Sequence, residues 1–218
     1  MTQDYNAVHA ERFRRSMEWI GGLELPVYAS ILELGGQSEF TKLIRNRWPL
    51  ATLHNFESDL RYAASDSHFS GRRSPEYDLV IAAEVLEHLS DTPILEAIPT
   101  EWAGSGMEQA MKTCERATRG GGWLFVSTPN AVSVTAIRHS LHLAPPCLYR
   151  PHVRELVPYE LDDLLRKYGF NIVRRETLDV WRNAISPAEH KRISDFIASS
   201  GYPTDLRGED IFALCRHL

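Results

Sequence analysis

Apolar positions along this chain follow two rhythms. Short, nearly continuous apolar runs, as suit strands buried on both faces of a parallel sheet, alternate with stretches in which apolar residues recur every three or four positions. The runs fall at 30–34 (SILEL), 51–56, 78–83 (DLVIAA), 123–126 (WLFV), 170–178 and 211–215. The helical rhythm shows in Phe13, Met17 and Ile20, in Phe40, Leu43 and Ile44, and in Met107, Ala110, Met111, Cys114 and Ala117. It returns in Leu161, Leu164, Leu165 and Tyr168, and in Ile193, Phe196 and Ile197. Punctuation agrees with these segments. Gly21-Gly22 and Pro49 stop helices, Gly120-Gly121-Gly122 turns the chain into the fourth run, and Pro158 and Gly169 bracket a helix. Ser186-Pro187-Ala188-Glu189 carries the signature of a capping box. Strands alternating with helices predict a three-layer α/β domain. We expect one domain over 1–218, with an opening helix in 1–22 and a proline-punctuated lid at 131–157.

Polar residues break the pattern most sharply just after the third run. There the chain reads AEVLEH, with Glu84, Glu87 and His88 at i, i+3 and i+4. If a helix begins there, the three side chains share one face. They then stand beyond the carboxyl end of a central strand, where open α/β sheets bind ligands. The first run also ends in chemistry. Glu33-Leu34-Gly35-Gly36 between a strand and a helix is the layout of a nucleotide-binding turn, in which glycines admit a ligand to the backbone and the helix offers free N–H groups. Glu57, after the second strand, sits where an acid bonds ribose hydroxyls. For Glu57 and Asp59 the alternative is a pair of solvated loop residues.

Composition narrows the partners. A net charge of −5 and a pI near 6.0 give no general basic field of the kind a duplex nucleic-acid binder carries, so no DNA partner is expected. Cys114, Cys147 and Cys215 are widely spaced and odd in number, forming neither a metal-finger pattern nor a disulfide framework. With no apolar stretch of signal-peptide or membrane-spanning type, the chain is expected to be soluble and cytoplasmic.

The ordered strings ILELGG, FESDLRY, YDLVIAAEVLEHL, GGGWLFVSTPN and ELDDLLRKYGF resemble those of class I S-adenosylmethionine-dependent methyltransferases over about residues 30–180. More narrowly, STPNAVSV, YRPHVRE and RETLDVW are similar to bacterial methyltransferases that modify sugars and surface glycans. The resemblance implies a Rossmann-like αβα sandwich, with a mostly parallel sheet of seven strands or slightly fewer and an antiparallel last strand. It implies that the cofactor's methionine half lies at Glu33, Gly35 and Gly36, its ribose at Glu57, and its adenine near Asp59 and Ala83, with Glu84 lining the pocket. The chain departs from the family's turn, acid-x-Gly-x-Gly-x-Gly, since Gln37-Ser38-Glu39 stands where later glycines are usual.

Three readings of the acid–histidine cluster remain open at this level. Glu84, Glu87 and His88 can be pocket-lining and locally paired side chains. They can hold Mg²⁺ or Mn²⁺, as the similar ExxEH string does in small-RNA terminal 2′-O-methyltransferases and ubiquinone-pathway O-methyltransferases, with His152 of PHVRE as a further ligand. Or His88 or His152 can act as a general base without metal. His139 and His142 lie in the same lid, and Arg150 and Arg154 could meet an anionic acceptor group. The expected function is methylation of an oxygen on a sugar, glycan or other hydroxylated small molecule. The alternatives are 2′-O-methylation of an RNA 3′ terminus, or a methyltransferase-like domain that binds without catalysis.

Overall fold

The computed structural model describes residues 5–35, 37–56, 77–89, 106–148, 152, 154–181 and 185–218. The expected helices and strands are present: α1 (Tyr5–Ile20), β1 (Ser30–Leu34), α2 (Glu39–Arg47), β2 (Thr52–Phe56), β3 (Tyr77–Ala83), α3 (Gly106–Ala117) and β4 (Thr118–Pro129). They are followed by α4 (Val134–Leu141), α5 (Pro158–Lys167), β5 (Phe170–Leu178), α6 (Pro187–Ser199) and β6 (Asp210–His217). The six described strands form one sheet in the order β2-β1-β3-β4-β6-β5. β1 to β4 run parallel, and β6 is inserted antiparallel between β4 and β5. The antiparallel last strand was therefore expected correctly, and it is longer than its apolar letters. Among the described residues no helix is long and apolar enough to cross a membrane.

Strand alternation divides the core into two layers. Even-numbered residues of the central strands (Leu32, Val80, Ala82, Leu124, Val126) pack with α3 and α5, and Ala213 and Cys215 of β6 join them. Their odd-numbered neighbours (Ile31, Leu79, Ile81, Phe125) pack with α1 and α2, together with Phe212 and Leu214. Trp19 of α1 lies against Phe125 and Phe212, with ring centroids 6.4 and 5.7 Å apart. Such fully buried aromatics each contribute roughly 1.5–3 kcal/mol of apolar transfer. All five members of the α3 stripe are buried.

Two local expectations need correction. The three glycines at 120–122 do not form a turn before a strand. β4 already begins at Thr118, and they fall in an irregularity of its pairing with β3, between Tyr77↔Thr118 and Leu79↔Trp123. Gly121 has φ of 69°, which an unbranched, Cβ-free residue adopts without strain. The segment after β3 is likewise no α-helix but a single 3-10 turn, Leu86–His88.

Candidate active site

The carboxyl ends of β1 and β3 face a common cleft of about 110 Å³. Glu33 and Gly35 line it from the first strand, and Ala83 and Glu84 from the third. Gly35 has φ of 107°, a conformation that favours glycine, and Val85 packs 3.6 Å from where its Cβ would stand. Beyond the turn, Ser38 caps α2: its hydroxyl accepts from the Phe40 N–H, and the Thr41 hydroxyl accepts from the Ser38 N–H at 2.9 Å. Glu33 is buried and accepts from the Asn55 amide at 2.8 Å. Burial raises its pKa, against the lowering effect of hydrogen bonds from Thr41 and Asn55. Gly36, Glu57 and Asp59 lie outside the described residues.

α1 closes the cleft with Arg12, Phe13 and Ser16. Arg12 was not singled out in the sequence, yet its guanidinium lies 3.1 Å from the Glu84 carboxylate, with both side chains under a tenth exposed. The same guanidinium sits over the rings of Phe13 and Trp181, 5.4 Å from each centroid. Asp210, fully buried at the start of β6, accepts from the Trp181 indole N–H at 2.8 Å. Burial and the nearby Glu84 raise its pKa well above the usual carboxylate range, while Arg12 opposes the rise.

Glu84 and Glu87 do not share a face. Glu84 has φ of 56°, in the left-handed region that costs a non-glycine residue roughly 1–3 kcal/mol and is often found at functional sites. Its N–H donates to the Ser127 carbonyl and its carboxylate accepts from the Ser127 hydroxyl, both at 2.9 Å. Glu87 instead accepts from Thr128 at 3.0 Å. Because Ser127 and Thr128 project from opposite faces of β4, Glu84 turns toward α1 and α2 and Glu87 toward the α3 and α5 layer. Helical i, i+3 geometry, assumed from the sequence, is what fails here. The left-handed residue re-aims the chain before the 3-10 turn begins.

Glu87, His88 and His152 do come together. One potential ligand atom from each lies within 4.8 Å of the others. Glu87 is completely buried, with one oxygen on Thr128 and the other, Oε1, without a hydrogen-bond partner among the described residues but 3.7 Å from His88 Nε2. Burial, reinforced by Glu84, raises its pKa well above the ordinary value. The His88 and His152 rings meet edge-on, centroids 4.9 Å apart. His152 Nδ1 lies 2.6 Å from Glu155 Oε1. A buried carboxylate oxygen with no donor among the described residues, grouped with two imidazoles, suits a divalent cation: O and N ligands at roughly 2.0–2.2 Å are what such ions take.

Of the other residues singled out in 131–157, His139 Nδ1 is 2.9 Å from the Cys147 carbonyl and His142 pairs with Glu189 on the surface. Arg154 pairs with Glu160, and Arg150 is outside the described residues. Asn130 of the TPN string is structural: its amide donates to the Leu206 and Gly208 carbonyls at 2.9 and 2.7 Å.

A parallel sheet with an inserted antiparallel strand, a glycine turn after β1 and an acid at the tip of β3 define a nucleotide-cofactor α/β enzyme fold. Residues 8–175 match the profile of the family described as "Methyltransferase domain". The chain belongs to that family, and the fold is that of a class I, S-adenosylmethionine-dependent methyltransferase domain. A ubiquinone biosynthesis O-methyltransferase from Hydrogenovibrio crunogenus is 24% identical over 149 residues, 64% of this chain. The match covers 55% of that protein, so this chain spans about half the length of its curated relative. Among solved structures, an S-adenosylmethionine-dependent methyltransferase from Archaeoglobus fulgidus superposes with a TM-score of 0.59 at 13% identity, covering 98% of this chain and 94% of the other. The N-methyltransferase NodS from Bradyrhizobium japonicum, in complex with S-adenosylhomocysteine, gives 0.53 at 14% identity, covering 98% and 89%. At those identities the structural likeness speaks for the fold.

Proposed function

We propose that this domain methylates a hydroxyl oxygen of a small molecule bearing neighbouring hydroxyls, such as a sugar, a glycan terminus or a catechol-like ring, with Mg²⁺ or Mn²⁺ held by Glu87, His88 and His152. The observation that carries the reading is the buried Glu87 Oε1, with no hydrogen-bond donor among the described residues, beside two imidazoles. The printed activity of the curated relative, O-methylation, points the same way. S-Adenosylmethionine, when bound, supplies a methyl group on a positively charged sulfur, open to in-line displacement. A divalent cation supplies a positive charge that lowers the pKa of a coordinated hydroxyl.

The chain's own residues do the rest. Arg12 and Glu84 present opposite charges to the cleft and match the carboxylate and ammonium of an amino-acid end. Phe13 and α1 keep water from the reacting atoms. A cleft of about 110 Å³ is below the roughly 300 Å³ at which drug-sized pockets begin, so in this reading α1 moves outward to admit the whole cofactor. Thr128 orients Glu87 through its hydroxyl. Without a cation, His88, the more exposed imidazole, would be the group to accept the acceptor's proton. The net charge of −5 favours a small molecule over an RNA terminus.

A second reading, His152 as a general base without a cation, draws on its 2.6 Å contact with Glu155. Methyl transfer from labelled S-adenosylmethionine to a panel of sugars and catechols, run with Mn²⁺, with Mg²⁺ and with EDTA, separates the two. Cation-dependent product is expected. Turnover that EDTA leaves untouched removes the cation and favours the base.

A further inference from the structure

We infer that Glu155, to which neither the sequence pattern nor the family match gives a role, is a positioning residue for the cation site, an inference that rests on the cation reading above. Its Oε1 lies 2.6 Å from His152 Nδ1 and accepts the Leu148 backbone N–H at 2.7 Å. Both side chains are nearly sealed, 4% exposed for His152 and 2% for Glu155. The carboxylate on Nδ1 holds the ring against rotation, so a cation bound by His152 would be taken through Nε2. A carboxylate on the remote nitrogen of a ligating histidine fixes its tautomer and raises its basicity, and losing such a partner typically weakens metal binding about 10–100-fold.

The charge itself argues for this role over a purely structural one. Holding residues 148 and 155 together needs one acceptor, which a neutral amide supplies. A carboxylate buried there is disfavoured over the amide unless its charge is used. Glu155 Oε2 is buried with no hydrogen-bond partner among the described residues, so the extra oxygen does not serve the backbone tie. Through Leu148 the same carboxylate anchors the segment leading out of α4, coupling the placement of that segment to the orientation of His152.

Mn²⁺ is titrated into the full, metal-stripped chain and free ion is read by electron paramagnetic resonance, for wild type, Glu155→Gln and His152→Ala. Glu155→Gln keeps an acceptor for the Leu148 N–H. It is expected to weaken Mn²⁺ binding about 10–100-fold, with S-adenosylhomocysteine affinity unchanged. Wild type that binds Mn²⁺, with Glu155→Gln matching it, overturns the positioning role and leaves the cation reading intact. Wild type that binds no Mn²⁺ overturns the cation reading itself, and the inference with it. Should Glu155→Gln fail to fold, nitrogen–proton correlation spectra of the wild-type imidazoles decide. A proton on Nδ1 of His152, toward Glu155, is expected, and a ring protonated on Nε2 alone overturns the assignment.

Discussion

Replacing Arg12 with methionine leaves Glu84 and Asp210 without the guanidinium that faces them. At the observed 3.1 Å, two unit charges attract by about 5 kcal/mol at an effective dielectric of about 20. Desolvation offsets much of that attraction in the intact pair, but removing one partner leaves the other charge buried, which costs about 3–5 kcal/mol. Loss of the cation–π contacts with Phe13 and Trp181 adds about 0.5–1 kcal/mol each. Against a domain stability of about 5–15 kcal/mol the change is large. Urea unfolding of Arg12→Met should therefore show a fall of about 4–7 kcal/mol with an unchanged slope. Adding Glu84→Gln removes the orphaned charge and should recover at least about 1 kcal/mol, a coupling that a double-mutant cycle reads directly. An Arg12→Met protein within about 0.5 kcal/mol of wild type, the range of ordinary surface substitutions, would show that the pair is solvated and that α1 is not pinned to the cleft as described.

His9, edge-on to Trp181 at 4.9 Å, has its pKa lowered from 6.5 to about 4 by burial and then by Arg12. The unfolded chain binds this proton below 6.5 while the folded chain resists it until about 4, so the contribution of His9 to stability is present above that window and is lost as pH falls through it. The raised pKa values of Glu87 and Asp210 act in the opposite sense, so the contrast between wild type and His9→Gln isolates the effect. Urea midpoints should converge toward the acid end of the window, and parallel pH profiles would refute it. Asn130→Ala strands two half-buried carbonyls and frees the Val132 N–H. It should cost about 2–4 kcal/mol, and a loss below about 1 kcal/mol in the same unfolding assay would mean that the 206–208 strap is held elsewhere. Gly35→Ala forces a side chain onto φ of 107°. A strain of about 1–3 kcal/mol should lower the urea midpoint, and calorimetry should show weaker S-adenosylhomocysteine binding. Unchanged values for both would place the turn outside the strained region.

The sheet was legible because its signal is collective. Continuous apolar runs at β1, β3 and β4, and the five-residue stripe of α3, each repeat one instruction several times. The glycine turn and the acids at the strand tips could be found from the same punctuation. What could not be read was direction. A helical spacing of Glu84, Glu87 and His88 has meaning only if a helix begins at Glu84, and one residue at φ of 56° removes that premise. Arg12 was missed because a charge on an amphipathic helix usually faces water, and its partner lies far along the chain in a segment of different rhythm. Asp210 falls just outside the apolar run at 211–215, and its bond from the Trp181 indole, far back in the chain, is announced by no local pattern. His152 was found through a motif, whereas Glu155, three residues on in the same string, gained meaning only when their contact was seen.

The central claim is that the turn after β1 and the tip of β3 form one cofactor cleft, covered by α1. Titration calorimetry of S-adenosylhomocysteine into wild type and into Ala83→Leu, whose added carbons enter that cleft, tests it most directly. The account predicts micromolar binding to wild type and its loss in a folded Ala83→Leu protein. No heat from folded wild type, or undiminished binding to the filled variant, would contradict it.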